Sequence, residues 1–284
     1  FAMEQEFKKY GLAPIEYDID GLKTQAALKE RLTRIRKSER YSDFIFSRLD
    51  QGQLQLRPYY RWNMMVNAKQ INENRTQSKV RPIVAHAPSD RSIKGTKYVL
   101  KALEELKKEG YDFEVKLIEN VPNEKALELY SDADIVIDQL LCPGTGKLAT
   151  EALASGAVVM ANMSYDSYPQ QNPADCPIVD VNPSTIKEKV ALLINDYEKR
   201  SELAARSRAY VNKYLDIRIF CKKVINLVEG QPVQHDYVPS FLRNDYVPIS
   251  EDERAILNQW NECIQDEEWY EEFVVDGERE GLKF

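Results

Sequence analysis

The sequence contains few of the residues that build metal sites and histidine-dependent catalytic triads. It has two histidines, His86 and His235, and four cysteines that form no Cys-x-x-Cys pair. Neither a zinc site nor a histidine-based triad is therefore predicted. The cysteines are widely spaced and require no disulfide bond, so a reduced, cytoplasmic protein is expected.

Long apolar runs and an excess of positive charge are also missing. No stretch approaches the roughly 18 apolar residues of a membrane-spanning helix, and the first residues lack the hydrophobic region of a signal peptide. The formal net charge is −7 with both signs interspersed, which argues against nucleic acid as a partner. Peripheral association with a membrane stays compatible with the sequence, because surface binding requires no spanning segment.

What the sequence does contain is an alternation of short apolar strands and amphipathic helices. With 43% hydrophobic and 10% aromatic residues, the chain has ample material for a folded core. This alternation is typical of an α/β fold with a Rossmann-like, doubly wound parallel sheet. The predicted strands are 82–86, 113–118, 134–138, 157–160 and 177–181.

The same pattern divides the chain into three regions. Residues 1–79 are predicted to form a partial or short N-terminal α/β domain, with an apolar strand at 43–46, and a polar linker. Residues 80–230 are predicted to form the Rossmann-like, nucleotide-sugar-binding domain. Residues 231–284 break the strand–helix rhythm, and their aromatic content predicts a C-terminal tail, with a helix at about 251–265, that packs back on the fold.

Two segments that follow predicted strands carry residues suited to binding an anion. The first places Arg91 and Lys94 three residues apart at a helix start, and Gly95 allows the backbone to approach a ligand closely. Cations at a helix N-terminus oppose the macrodipole, but a bound phosphate would pair with the cations and the helix amides together. The alternative is that Arg91 and Lys94 are ordinary surface charges.

The second segment, 143–156, leads from a later strand into another helix. Gly144 and Gly146 can place backbone amides against a diphosphate, and Glu151 can accept hydrogen bonds from both hydroxyls of a ribose. The Gly-x-x-x-x-Gly-Lys-Ser/Thr spacing of a P-loop is absent. Taken alone, the segment is better explained as a capped helix with an exposed glutamate.

Together, the two segments resemble the C-terminal domain of family 4 glycosyltransferases, which have the GT-B fold. The Lys-Gly helix start typical of that family stands here as Lys94-Gly95, and its Glu-Ala-Met-Ala-x-Gly-x-Pro-Val segment stands as EALASGAVV at 151–159. The family's Tyr-x-x-Ala-Asp strand entry is similar to YSDAD at 130–134. The resemblance covers residues 81–215.

This resemblance implies a site for a nucleotide-sugar donor. The implied residues are Arg91, Lys94 and Gly95 at the diphosphate, Gly144, Thr145 and Gly146 as amide donors, and Glu151 at the ribose. Weaker candidates for contacts with the base or the sugar lie near strand ends: Glu119, Asn120, Asp138 and Gln139.

The sequence departs from the family pattern in two places. The family's Glu-x7-Glu pattern has a glutamate eight residues before the ribose-binding one, and Pro143 stands at that position here. No catalytic residue is therefore assigned. Only residues 1–79 precede the Rossmann-like domain, so the N-terminal, acceptor-side domain is expected to be truncated or short.

The predicted function is transfer of a sugar from a nucleotide-diphosphate sugar to a glycan, lipid or protein acceptor. The resemblance implies a retaining reaction, and the sequence requires no metal cofactor. One alternative is a non-catalytic nucleotide-sugar-binding module that needs a partner or a separate N-terminal half, which Pro143 favours. Another is a related enzyme such as a nucleotide-sugar epimerase, although the sequence offers no clear set of catalytic carboxylates with a histidine.

Overall fold

The computed structural model describes residues 25–48, 55–71, 77–142, 144–163 and 174–238. The chain forms two compact units: the larger comprises Phe1–Ile15 and Asn63–Gln231, and the smaller comprises Glu16–Trp62 and Pro232–Phe284. The helix expected at about 251–265, most of the C-terminal tail and Pro143 lie outside the described residues.

The smaller unit contains, in its described part, one helix and a pair of very short strands. Helix α1 spans Gln25–Tyr41, strand β1 spans Phe46–Ser47, and strand β2 spans Tyr60–Arg61. The two strands pair in parallel. The strand predicted at 43–46 is therefore displaced toward its C-terminal end, because a two-residue strand leaves no alternating pattern by which to place it.

Residues 232–238 pack beside β2 in this unit. The amide of Tyr59 donates to the carbonyl of Tyr237 at 3.1 Å, and the two rings stack with centroids 4.6 Å apart. The carboxylate of Asp236 accepts a hydrogen bond from the amide of Arg61 at 2.6 Å. A backbone bridge and aromatic stacking thus hold this segment in place.

The larger unit is built around a parallel sheet whose neighbouring strands are, in order, Glu114–Leu117, Ile83–His86, Ile135–Ile137, Val158–Ala161 and Val179–Asp180. Every neighbouring pair is parallel, which confirms the predicted α/β class with a doubly wound sheet. The described elements are β3 (Ile83–His86), α2 (Arg91–Lys94), α3 (Thr96–Lys108), β4 (Glu114–Leu117), α4 (Asn123–Ser131), β5 (Ile135–Ile137), α5 (Lys147–Ser155), β6 (Val158–Ala161), β7 (Val179–Asp180), α6 (Ile186–Asn195), α7 (Tyr197–Tyr210) and α8 (Ile217–Val228).

Helices cover both faces of this sheet. Helices α3 and α6 pack together in one core layer, and α4, α5 and α7 contribute to the other. In β5, Ile135 and Ile137 face the first layer and Val136 faces the second, and all three are fully buried. A parallel strand covered on both faces is apolar throughout, which is why this strand could be recognised from three residues.

The end of the larger unit contains a helix that was not expected from the sequence. Helix α7 passes into a π-helical turn at Val211–Leu215, and α8 then begins after Asp216, whose carboxylate accepts a hydrogen bond from the amide of Arg218 at 2.9 Å. Apolar residues of α8 are not confined to a buried face, since Ile225 is 53% exposed and Val228 is 72% exposed. Its apolar residues Ile217, Phe220 and Val224 nevertheless recur at helical spacing, so the helix was missed despite an amphipathic pattern.

A buried arginine ties the segment before β3 to the helical layer. Arg200, in α7, is 1% exposed. Its guanidinium donates to the carbonyls of Leu193 and Ile194 in the last turn of α6 at 2.5 and 2.8 Å, and to the carbonyl of Ser78 at 2.5 Å. The last carbonyls of a helix have no backbone partner within the helix. Arg200 therefore supplies hydrogen bonds that the backbone of α6 cannot make.

Replacing Arg200 with methionine is expected to lower the free energy of unfolding by about 2–3 kcal/mol, because three carbonyls lose a charged donor in a buried position. Urea unfolding followed by circular dichroism measures this change. Arg206→Met, on the exposed part of the same helix, is the matched control and should change stability by less than about 0.5 kcal/mol. Equal effects of the two substitutions would contradict a structural role for Arg200.

Candidate functional site

The candidate site lies at the carboxyl edge of the sheet in the larger unit. Strand β3 ends at His86 and lies between β4, which ends at Leu117, and β5, which ends at Ile137. The chain passes from β3 to β4 on one side and then to β5 on the other, so the strand order reverses here. Ligands of doubly wound sheets bind outside the carboxyl ends of the strands at such a reversal.

The first predicted anion-binding segment forms two helices joined at a glycine. The carboxylate of Asp90 caps α2 by accepting hydrogen bonds from the amides of Ser92 and Ile93 at 2.8 and 3.0 Å. Gly95 then adopts φ 70° between α2 and α3. A Cβ at this position would lie 3.1 Å from the Cβ of Leu140. Both the backbone conformation and the close contact therefore favour glycine.

Lys94 lies at the centre of the site. Its Nζ donates to Oδ1 of Asp138 at 2.5 Å and to Oε1 of Gln139 at 2.9 Å. The side chain of Lys94 is 12% exposed, and that of Asp138 is fully buried. Nε2 of Gln139 donates in turn to the carbonyl of Gly144 at 2.9 Å. An ammonium carries three protons, so two protein acceptors leave one proton for a ligand.

The glycine-rich loop contacts this ion pair directly. The amide of Gly146 donates to Oδ2 of Asp138 at 2.9 Å. A Cβ at position 146 would lie 3.0 Å from both this oxygen and Nζ of Lys94. The two segments identified from the sequence therefore meet around one carboxylate, and the missing side chain of Gly146 allows the approach.

The resemblance assigned the backbone amides of Gly144 and Gly146 to a diphosphate, but both amides already donate to acceptors within the protein. Gly146 donates to the buried carboxylate, and Gly144, at φ 90°, donates to the carbonyl of Asn162 at 2.8 Å. Either amide would have to exchange its partner to bind a phosphate. The next amides, those of Lys147 and Leu148, lie in the first turn of α5, where a helix offers no internal acceptor.

Arg91 forms an ion pair at the surface. Its Nε and Nη2 donate to the two carboxylate oxygens of Glu119 at 2.7 and 2.5 Å. The side chains of Arg91 and Glu119 are 60% and 21% exposed. The hydrogen bond between them raises the pKa of Arg91 and lowers the pKa of Glu119. Because water reaches both groups, another anion can replace Glu119 without leaving a buried charge unpaired.

Glu151 lies in α5 and is almost buried, with 6% of its surface exposed. Its Oε2 accepts a hydrogen bond from the hydroxyl of Tyr130 at the end of α4. Its Oε1 is 3.4 Å from Nζ of Lys147, whose side chain is 62% exposed. The two carboxylate oxygens therefore have different surroundings: one lies against a buried hydroxyl and the other beside the ammonium of an exposed lysine.

His86 links the ends of β3 and β5 to the start of α3. Its Nδ1 lies 2.8 Å from the carbonyl of Ile137, and its Nε2 lies 2.9 Å from Oγ1 of Thr96. Burial lowers the pKa of His86, so the neutral ring is favoured. A carbonyl can only accept, so Nδ1 carries the proton and Nε2 accepts the hydroxyl proton of Thr96.

The structure thus gives the sequence-derived candidates unequal surroundings. Lys94, Gly144 and Gly146 hydrogen-bond to Asp138 or Gln139, and Gly95 lies against Leu140. Thr145 lies between the two glycines of the loop. Arg91 instead pairs with Glu119 at the surface, and Glu151 lies further along α5. Asn120 follows Glu119 with φ 55°. His86 and Tyr130 were not among the candidates. In the sequence, Tyr130 is the first residue of the YSDAD segment, and no local pattern pairs it with Glu151.

The described residues contain no group of three or more His, Cys, Asp or Glu side chains arranged to hold a metal ion. None of the helices in the described ranges is long and apolar enough to cross a membrane.

Several solved structures share the fold of this chain at low sequence identity. HepE from Anabaena, in complex with UDP, is similar with a TM-score of 0.55 and 15% identity over 77% of this chain and 70% of that one. Sucrose-phosphate synthase from Thermosynechococcus elongatus has a TM-score of 0.52 and 16% identity, over 71% of this chain and 61% of that one. A TarM variant from S. aureus was solved in complex with Fondaparinux, alpha-GlcNAc-glycerol and UDP. It has a TM-score of 0.50 and 14% identity, over 70% of this chain and 46% of that one.

The chain has a GT-B glycosyltransferase fold. The fold expected from the two sequence segments is thereby confirmed. No protein-family model matches the sequence, and no curated protein matches it. The chain spans less than two thirds of the length of the sucrose-phosphate synthase and TarM chains.

Replacing Asp138 with asparagine is expected to destabilise the larger unit by about 3–5 kcal/mol, because Lys94 would lose its counter-charge in a buried position. The measurement is chemical unfolding monitored by circular dichroism. Asp112→Asn is the matched control, since its ion pair with Arg81 is exposed and should contribute less than about 1 kcal/mol. A small effect at Asp138 would show that the ion pair does not hold the site together.

The tautomer and charge of His86 can be tested by nitrogen-15 NMR. The His235→Asn variant leaves His86 as the only histidine of this sequence. We expect a neutral ring protonated at Nδ1, with a protonation midpoint below the ordinary value of about 6.5. Since the folded state then binds the proton less readily than the unfolded chain, the free energy of unfolding should decrease as pH falls below about 6.5. A proton at Nε2 or a raised midpoint would contradict this arrangement.

Proposed function

We propose that this chain is a glycosyltransferase that transfers a sugar from a nucleotide-diphosphate sugar to an acceptor. The observation that carries the proposal is the meeting of the Lys94 helix and the Gly146 loop around Asp138, at the carboxyl edge where the strand order reverses. An exposed cation, Arg91, lies on the same short helix as Lys94. The GT-B fold supports the proposal, because structures with this fold have been determined with UDP.

The two cations have different parts in the proposed site. Lys94 forms an ion pair with the fully buried carboxylate of Asp138, so its charge is largely balanced. Its main contribution to ligand binding would be the one ammonium proton that remains available for a hydrogen bond. Arg91 is itself exposed, and it is balanced by the half-buried carboxylate of Glu119, which water reaches and a ligand can displace. We therefore assign Arg91 as the principal countercharge of the donor diphosphate, with Lys94 holding the loop in position.

The chemistry of the proposed reaction is mainly electrostatic. As the bond between the sugar and the diphosphate breaks, negative charge grows on the leaving diphosphate. Arg91 and the first amides of α5 would stabilise this charge, since helix N-termini present free amides and a partial positive charge. Retention of configuration is part of the proposal and rests on the family resemblance. No residue is assigned as catalytic.

The donor nucleotide proposed for the first test is uridine diphosphate. HepE and the TarM variant were each solved with UDP, and both share the fold of this chain. Glu151 would accept hydrogen bonds from the ribose hydroxyls. The acceptor is left as a class, a glycan, lipid or protein, because the described residues carry no feature that selects one of them.

A non-catalytic nucleotide-sugar-binding module is the second candidate. Pro143 stands where the resembled family has the glutamate that reaches the transferred sugar, which favours binding without transfer. Release of sugar from UDP-sugars, with or without an acceptor, would separate the two functions. Turnover by the purified chain supports the enzyme, whereas tight UDP binding without any turnover supports the module.

Calorimetric titration with UDP, GDP and ADP tests the donor site directly. We expect UDP to bind and Arg91→Ala to weaken that binding about tenfold or more, as for other lost hydrogen bonds between charged groups. Glu119→Gln should keep or strengthen binding, because it removes the carboxylate that competes for Arg91.

Arg81→Ala is the matched control for this titration. Arg81 is an exposed arginine of the same unit, paired with Asp112 just before β3, and its loss should leave the affinity unchanged. If none of the three nucleotides binds the folded protein, or if Arg91→Ala and Arg81→Ala behave alike, the proposed site is wrong.

A further inference from the structure

Tyr130 and Glu151 form a buried contact between two helices of the larger unit. Tyr130 is 2% exposed near the end of α4, and Glu151 is 6% exposed in the second turn of α5. The tyrosine hydroxyl donates to Oε2 of the glutamate. The pair is polar within an otherwise apolar layer that includes Ala133, Ala152 and Leu153.

The tyrosine remains a hydrogen-bond donor across the whole physiological pH range. Burial raises the pKa of Tyr130, and the hydrogen bond to Glu151 raises it further. A buried carboxylate needs such a donor, because an unpaired charge in this environment is strongly unfavourable. The buried hydroxyl of Tyr130 therefore provides the hydrogen bond that Oε2 of Glu151 requires.

The contact leaves the other carboxylate oxygen facing Lys147. Oε1 of Glu151 is 3.4 Å from Nζ of Lys147, whose side chain is 62% exposed and can move aside. Lys147 begins α5, and Glu151 lies four residues further along, so the two are separated by about 6 Å along the helix axis. A ligand whose diphosphate lies at the start of α5 would therefore bring its ribose near Oε1.

We propose that Tyr130 is a positioning residue that orients the carboxylate of Glu151 toward the ribose hydroxyls of the donor. The inference rests on the proposed donor site and adds a residue that acts on the ribose through Glu151. Tyr130 holds Oε2, and Oε1 is thereby directed outward to accept from the ligand. The competing explanation is that the pair only joins α4 to α5, in which case it affects stability but not ligand selectivity.

The test compares UDP with 2′,3′-dideoxy-UDP, which lacks both ribose hydroxyls. Titration calorimetry should show that the wild-type protein prefers UDP. Tyr130→Phe keeps the ring and removes the hydroxyl, and it should weaken UDP binding about tenfold, which corresponds to about 1.4 kcal/mol. Its effect on the dideoxy nucleotide should be much smaller. Tyr111→Phe, a partly buried tyrosine packed in the other core layer, is the matched control and should affect neither ligand.

A double-mutant cycle with Glu151→Gln shows whether the tyrosine acts through the glutamate. Glu151→Gln should itself lose the preference for UDP, and Tyr130→Phe should then have little further effect on UDP binding. Equal weakening of both nucleotides by Tyr130→Phe, or additive losses in the double variant, would overturn the inference.

A second measurement requires no substitution. In wild-type protein with carbon-13-labelled tyrosine, UDP should shift a ring resonance that 2′,3′-dideoxy-UDP leaves unchanged, because only the first ligand shares the carboxylate with Tyr130. The same shift with both nucleotides would overturn the inference. Wild-type binding of UDP without a ribose preference would overturn it while leaving the proposed function intact, and absence of all nucleotide binding would instead overturn the proposed function.

Discussion

The ion pair between Lys94 and Asp138 determines how the carboxyl edge of the sheet is arranged. Asp138 follows β5, Lys94 ends α2, and Gly146 precedes α5, so one buried carboxylate joins three segments that are distant in sequence. Each group needs the others, because a buried charge without its partner is strongly unfavourable. The arrangement also requires two glycines: Gly95 turns the chain between α2 and α3 in a left-handed conformation, and Gly146 leaves room for the ammonium and the carboxylate.

This constraint separates two cations that look equivalent in the sequence. Lys94 and Arg91 both precede a glycine at a helix start, but one is balanced inside the protein and the other at its surface. Electrostatic interactions are stronger and less exchangeable away from water. The buried pair therefore suits a permanent structural contact, whereas Arg91 and Glu119 can separate when a ligand anion arrives. A similar distinction applies to the two oxygens of Glu151: one is held by buried Tyr130 and the other lies beside exposed Lys147.

Local patterns predicted the features that depend on local chemistry. The apolar run at 135–137 indicated a buried parallel strand, and the glycines near Lys94 and in the 144–146 loop indicated close backbone approach. The sequence did not reveal that Asp138 lies between these two segments, because the contact depends on how β3 and β5 pair. The contact of Tyr130 with Glu151 was also hidden, because it depends on the packing of α4 against α5. The strands β1 and β2 have two residues each, too few to show a periodicity, whereas α8 was missed although its apolar residues recur at helical spacing.

The most direct test of this account is a crystal structure of the protein with UDP. The account predicts that the diphosphate contacts Arg91 in place of Glu119 and lies at the start of α5, while the Lys94–Asp138 pair and the Gly146 contact stay intact. The ribose should lie against Glu151. A diphosphate bound elsewhere on the chain, or one that separates Lys94 from Asp138 while Arg91 remains paired with Glu119, would contradict it.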